Sequence, residues 1–358
     1  MSTTTEKLSS PVKADDLAQH LRKRIESGEI PPGDRLPTFS EMRREYGAAT
    51  NTVDRAYSQL EADGLIERKA GSGVYVSEHP GTTSTGTIGC LGAGFSGNDI
   101  YWNHCIRGIN RVLESHGMHP LLLPRLPNAA AWNKVDGVLC HDADRLPEGC
   151  PESLPRVSML HRMSGTVSVI ADDYDGARLA TNHLLQLGHT RIGSLFIQDD
   201  PLGIVRLSGY ETALRRADIQ PSPEWSRDCE GNLDKYSFSE VARKVMAQWL
   251  SGNWADEGLT ALVAQNDHVA IGAMEALEEA GLNVPGDVSV VGFDGTTISE
   301  HCRPRLTTIK VPLQMIGERA TEELINQIAR THEKREETIV LPVKLVERDS
   351  TTPPGERR

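Results

Sequence analysis

From residue 87 onward, apolar runs of strand length alternate with segments of helical periodicity, and this alternation narrows the possible folds more than any other feature. Strands are expected at 87–91, 120–123, 137–140, 192–196, 261–264 and 288–293, with helices at 101–116, 175–187, 206–217, 237–250 and 267–280. Strands separated by helices pair in parallel and are covered on both faces, so the expected class is α/β with doubly wound parallel sheets. The strands are too many for one small sheet, which predicts two lobes. A chain of 358 residues has room for both and for a further small domain.

That small domain lies upstream. His79-Pro80-Gly81-Thr82-Thr83-Ser84-Thr85-Gly86 is polar and turn-rich, and divides residues 1–79 from the rest through a linker at 80–86. Before it, Leu17, Ala18, Leu21 and Ile25 recur at helical spacing and are closed by Gly28, Pro31 and Pro32. Thr38 is placed to cap a second helix running to Tyr46, with Gly47 ending it. A third helix over 50–63 carries Val53, Ala56, Tyr57 and Leu60 on one face. Two short strands at 65–68 and 74–76 flank a glycine-containing loop, so a helix-turn-helix is followed by a hairpin wing.

The net charge of −12 appears unfavourable for a nucleic-acid partner until it is divided along the chain. The first 80 residues hold 11 Lys/Arg and 13 Asp/Glu, so the acidity sits in the larger region, and local basic clusters decide contacts within about 8 Å. Residues 1–10 lack the basic and apolar pattern of a secretion signal, and no apolar run is long enough to span a membrane. A cytoplasmic protein is expected. Its six cysteines are scattered without metal-ligand spacing and read as reduced packing thiols, so no metal is expected. The tail at 350–358 reads as low-complexity.

In order across residues 13–77 stand Glu29-Ile30-Pro31-Pro32-Gly33-Asp34-Arg35-Leu36-Pro37, Thr52-Val53, Leu60-Glu61-Ala62-Asp63-Gly64-Leu65-Ile66 and Gly71-Ser72-Gly73-Val74-Tyr75-Val76. The set resembles the GntR winged-helix domain, which implies a reader of double-stranded DNA. The residue chemistry puts Thr50, Asn51 and Thr52 at the start of the recognition helix, with Asn51 as base reader because its amide pairs bidentately with adenine. Arg43, Arg44, Arg55, Arg68 and Lys69 are expected backbone clamps, with Thr38 and Gly71 completing the contact surface. Many GntR proteins have Ser-Glu-Arg after Leu-Pro, and further arginines in the turn and recognition helix. This chain has Thr38-Phe39-Ser40, Thr50 and Asp54 there, which predicts a different operator or weaker affinity.

Gly92-Ala93-Gly94-Phe95-Ser96-Gly97 spells a dinucleotide fingerprint after a strand, the basis for an NAD-linked enzyme as an alternative reading. Against it, the next strand runs into Pro124-Arg125 instead of the acidic residue a ribose needs, and Asn98-Asp99 would set carboxylate beside the phosphates. No cofactor is expected. The histidines show no arrangement of paired carboxylate and nucleophile, so no enzyme is expected either. A different ordered set comprises Ile106-Arg107-Gly108-Ile109, Asp136-Gly137-Val138, His183 to His189, Arg206 to Tyr210, Gln265-Asn266-Asp267, Asp287 to Asp294 and Leu306 to Ile309. It resembles the effector domain of LacI-type regulators, and its joining to a GntR reader resembles the AraR-type architecture.

That likeness implies a type I periplasmic-binding-protein-like fold over 87–358, its lobes joined by three crossings. The first lobe is expected at about 87–171 and 302–330, the second at about 172–301 and 331–349. Its pocket groups fall on Asp175, Arg206, Asn266 and Asp294, with Phe95, Tyr101 and Trp102 as candidates to stack on a sugar face. Between Leu123 and Gly137 the usual helix should be truncated or absent, since 13 residues there include two prolines. The expected protein is a DNA-binding transcriptional regulator, a repressor and homodimer, whose affinity responds to a small sugar or polyol. A solute-binding protein carrying a non-functional reader is the other alternative.

Overall fold

The computed structural model describes residues 12–69, 71–77, 85–91, 100–124, 127–141, 149–229, 237–329 and 336–355. The N-terminal part opens with helix α1 (Ala14–Glu26), whose Leu17, Ala18, Leu21 and Ile25 are buried along one stripe. Thr38 caps α2 (Phe39–Tyr46): its Oγ1 accepts from the Glu41 N–H at 3.3 Å, while Glu41 Oε2 accepts from the Thr38 N–H at 2.6 Å. Gly47, at φ 67°, ends the helix in the left-handed region that glycine enters without a Cβ penalty. Helix α3 (Thr50–Ala62) buries Val53, Ala56, Tyr57 and Leu60, and the Tyr57 hydroxyl donates to the Pro37 carbonyl at 2.5 Å. The wing is β1 (Ile66–Lys69) paired antiparallel with β2 (Gly73–Val76), Lys69 opposite Gly73. One apolar cluster joins these elements.

Beyond the linker, β3 (Thr87–Leu91), α4 (Ile100–Ser115), β4 (His119–Leu123), α5 (Ala129–Trp132), β5 (Gly137–His141), β6 (Arg156–Met159) and β7 (Val167–Ala171) build the first lobe. Helix α5 has only four residues, as the two prolines before it suggest. The second lobe follows as α6 (Asp173–Gln186), β8 (Ile192–Phe196), α7 (Pro201–Arg216), β9 (Ser226–Asp228), α8 (Phe238–Ser251), α9 (Trp254–Glu257), β10 (Ala261–Ala264), α10 (Asp267–Glu279), β11 (Ser289–Asp294), α11 (Thr297–His301) and β12 (Thr307–Lys310). Helix α12 (Leu313–Ala329), β13 (Glu337–Leu341) and β14 (Lys344–Val346) close the chain.

Among the described residues the two sheets run β13-β7-β6-β5-β3-β4 and β14-β12-β11-β10-β8-β9. Every pairing is parallel except β12 with β14. Strands β5, β7, β8, β10 and β11 are buried throughout, as strands covered on both faces must be.

This order corrects the lobe boundaries expected for 302–330 and 331–349. Strand β12 lies in the second sheet, with Val291 opposite Thr307, whereas α12 and β13 belong to the first lobe and β14 returns to the second. The chain therefore crosses after β7, after β12 and after β13. Two of the crossings are tied together, the Asp172 N–H donating to the Leu341 carbonyl at 3.0 Å, and the third is held to the end of β11, the Val311 N–H donating to the Asp294 carbonyl at 3.1 Å.

Two helices begin earlier than expected. Asp172 caps α6 at Asp173 through the Asp175 N–H, and Asp200 caps α7 at Pro201 through the Gly203 N–H, with proline in the first turn where its missing N–H costs nothing. The supposed low-complexity tail is also corrected over its first residues. Ser350 is fully buried, its carbonyl accepting from the Val290 N–H and its hydroxyl donating to the Val290 carbonyl. His183 and His189 bond Thr351 and Thr352 beside it.

Candidate functional site

Two surfaces carry the chemistry. On the winged helix, Thr50 and Asn51 are exposed in the first turn of α3, with Thr52 half-buried; Arg55 on α3 and Arg43 and Arg44 on α2 are exposed. Gly71 is exposed in the wing loop at φ 71°. Thr38 is half-buried and its hydroxyl is committed to the cap, donating to Glu41 Oε2 at 2.8 Å.

Arg68, expected as a backbone clamp, is held by partners within the domain. Its Nη1 donates to Asp54 Oδ1 at 2.8 Å, its Nη2 to Ser58 Oγ at 2.9 Å, and its Nε lies 3.0 Å from Glu61 Oε2. These partners hold the Arg68 guanidinium above the ordinary arginine pKa, the Asp54 hydrogen bond first among them. The residue ties the wing to α3, with Asp54 as one of its partners. Lys69 pairs with Glu67 at 2.7 Å and lies 5.1 Å from the Tyr75 ring centroid. Sequence reasoning missed Arg35, an exposed residue packed against Gly73 of the wing; its place in the Asp34-Arg35-Leu36-Pro37 run was the available signal.

The second surface gathers at the carboxyl ends of the strands. Arg206, one turn into α7 and 3% exposed, donates from Nε and Nη2 to Asp173 Oδ1 at 2.9 and 2.7 Å, and from Nη1 to the Gln265 carbonyl. Its guanidinium carbon stacks 3.8 Å from the Phe293 ring centroid. Asp294 Oδ1 lies 3.8 Å from Nη2, and Asp294 adopts φ 100°, a conformation that side chains rarely enter. Asn266 caps α10, its side-chain oxygen accepting from the Val269 N–H at 2.8 Å.

Asp175, expected among these groups, instead accepts from Arg178 and is half-buried; Asp173 holds the inward place. In the first lobe Trp102 is buried and meets His141, at the end of β5, edge to face at 5.6 Å. Phe95 and the Gly92-Gly94-Gly97 loop lie outside the described residues, and Tyr101 lies in α4 with its side chain undescribed.

One buried carboxylate was also missed. Asp267, fully buried at the start of α10, accepts from the Thr296 N–H and Oγ1 at 2.7 and 2.8 Å and from Thr308 Oγ1 at 2.5 Å. Burial pushes its carboxyl up to about 6, against the opposing pull of those hydrogen bonds. All six cysteines are free. Among the described residues no cluster of His, Cys, Asp and Glu could hold a metal, and no helix is long and apolar enough to cross a membrane.

A winged helix-turn-helix joined to a two-lobed α/β clamp defines a class, the DNA-binding regulators that carry their own sensor domain. Residues 13–76 match the bacterial regulatory proteins of the gntR family, and residues 181–351 match the periplasmic binding protein-like domain. The chain is 29% identical over 360 residues to the arabinose metabolism transcriptional repressor of Geobacillus stearothermophilus, covering 94% of this chain and 96% of the relative. It is 33% identical over 329 residues to the HTH-type transcriptional repressor PurR of Vibrio parahaemolyticus, covering 84% and 95%. Among solved structures, a LacI family transcriptional regulator from Enterococcus faecium with bound ribose matches at 26% identity and a TM-score of 0.63, over 75% of this chain and 99% of that one. The chain belongs to this family of bacterial transcriptional repressors, as a gntR-type reader fused to a periplasmic-binding-protein-like domain. It is a DNA-binding transcriptional regulator and not an enzyme.

Proposed function

We propose that this regulator binds its operator in the cytoplasm as a homodimer, and that a small sugar or related polyol held between the lobes changes that affinity. The observation carrying the sensor half is the buried cluster of Arg206, Asp173 and Asp294, one cation between two carboxylates where α6, α7 and β11 converge. A carboxylate accepts from two hydroxyls and a guanidinium donates a planar fork, so the set is suited to a neutral polyhydroxylated ligand, with Trp102 as an aromatic wall. Phe95, Tyr101, Asn266 and Asp175 remain candidates around it. Arabinose and ribose are the first ligands to try, since one relative is named for arabinose metabolism and one structural neighbour holds ribose.

On the DNA side, Asn51 reads a base edge, Thr50 and Thr52 flank it, and Arg43, Arg44, Arg55, Lys69 and Gly71 lie against the backbone. Arg68 contributes by fixing the wing. Footprinting on DNA upstream of the protein's own gene tests the reading. A protected site with two half-sites about 34 Å apart, or a multiple of that, is expected, and its affinity falls steeply with salt. Asn51→Ala should cost about 1–3 kcal/mol at the native site. Absence of a protected site even at low salt would sink this reading.

A further inference from the structure

The loops that carry the polar cluster are joined by one buried side chain that does not belong to it. Asp267 immediately follows Asn266 just past the end of β10, yet its partners come from two other strands: Thr296, two residues past Asp294 at the end of β11, and Thr308, the second residue of β12. Three adjacent strands of the second sheet therefore meet on one carboxylate. The turn that it holds is a demanding one. Asp294 at φ 100° is followed by Gly295 at φ 65°, and such a backbone persists only where its surroundings fix it. Besides Asp267, the fixing comes from the Val311 N–H, bonded to the Asp294 carbonyl, and from Lys310 Nζ, bonded to the Gly295 carbonyl.

The sequence also leaves room for this carboxylate. Gly292 lies against it, and a Cβ at that position would stand 2.7 Å from Asp267 Oδ1. Any side chain there would displace the carboxylate.

We propose that Asp267 is a positioning residue of the effector site: it holds the Asp294 turn in register with Asn266 and Arg206, so that ligand affinity depends on a side chain the ligand does not touch. Arg206 enters through the Gln265 carbonyl, two residues before Asp267 on the same strand end. The inference rests on the polyol reading of that site.

The test uses the full chain, titrated with arabinose and with ribose and followed by tryptophan fluorescence and the shift in thermal midpoint. Asp267→Ala should weaken sugar binding at least tenfold. Asp267→Asn should stay within about threefold of wild type, because the amide oxygen still accepts from the Thr296 N–H and the amide nitrogen donates to a reversed Thr308 hydroxyl. This rescue separates positioning from a need for charge. If Asp267→Ala does not fold, Thr296→Val, which removes one donor and keeps the backbone, should weaken binding at least threefold. Wild-type sugar affinity in Asp267→Ala, or in Thr296→Val when that stands in for it, overturns the proposal while leaving the polyol reading intact. Failure of the wild type to bind either sugar overturns both.

Discussion

Arg206→Ala should destabilise the sensor domain by about 3–5 kcal/mol, read as a lower denaturant midpoint, and should abolish its response to sugar. The size follows from what the substitution leaves behind. Asp173 is 7% exposed and receives two hydrogen bonds from this guanidinium, so truncation strands a carboxylate in a site with little water to replace its partner. The Gln265 carbonyl loses a donor and the Phe293 ring loses its stacked cation. By contrast, Arg215→Ala on the same helix breaks an exposed pair with Glu211 and should change stability by less than about 1 kcal/mol. An unchanged midpoint in Arg206→Ala would show that the cluster is not a desolvated ion pair.

Gly317→Ala is expected to be nearly as costly, for a steric reason. Helices α4 and α12 cross so closely that a Cβ on Gly317 would stand 2.2 Å from the Cys105 carbonyl oxygen, and one on Gly108 would stand 2.1 Å from that of Gln314. Both obstacles are backbone, which cannot rotate aside, so the helices must separate and the first lobe must repack. A loss of about 3 kcal/mol is expected, the upper end for overpacking. Gly286→Ala is the control: its Cβ would meet only Asn283 Cβ, at 3.4 Å, and the denaturation curve should move little. Equal curves for the two variants would contradict the close crossing.

The elements legible in the sequence are those fixed by neighbours in the chain. Thr38 and Gly47 bound α2 through contacts within four residues, and Leu17, Leu21, Val53 and Tyr57 declare their burial by helical spacing alone. What was misread depends on partners far away. The segment 302–349 holds three strand-length pieces, and nothing local says that β12 pairs with β11 while β13 pairs with β7 across the molecule.

The same limit explains Asp175. Three carboxylates fall within four residues at 172–175, and at about 100° per residue Asp173 and Asp175 face opposite ways once the helix has begun. The start of α6, two residues before the expected one, decides which of them meets Arg206. Ser350 to Thr352 gave no apolar signal because that segment is held by hydrogen bonds to Val290, Ser289, His183 and His189. The GntR likeness marks Arg68 as a backbone clamp; that Asp54, Ser58 and Glu61 also hold it depends on a contact between helix and hairpin that spacing does not reveal.

The central claim is that one protein couples sugar to DNA, and thermodynamic reciprocity makes it measurable from both sides. Fluorescence anisotropy of labelled operator, titrated with full-length protein at increasing arabinose or ribose, should show the dissociation constant shift by some factor. Sugar titrations with and without saturating operator should give the same factor. A sugar that raises the thermal midpoint of the protein yet leaves the operator dissociation constant unchanged at every concentration would contradict the account.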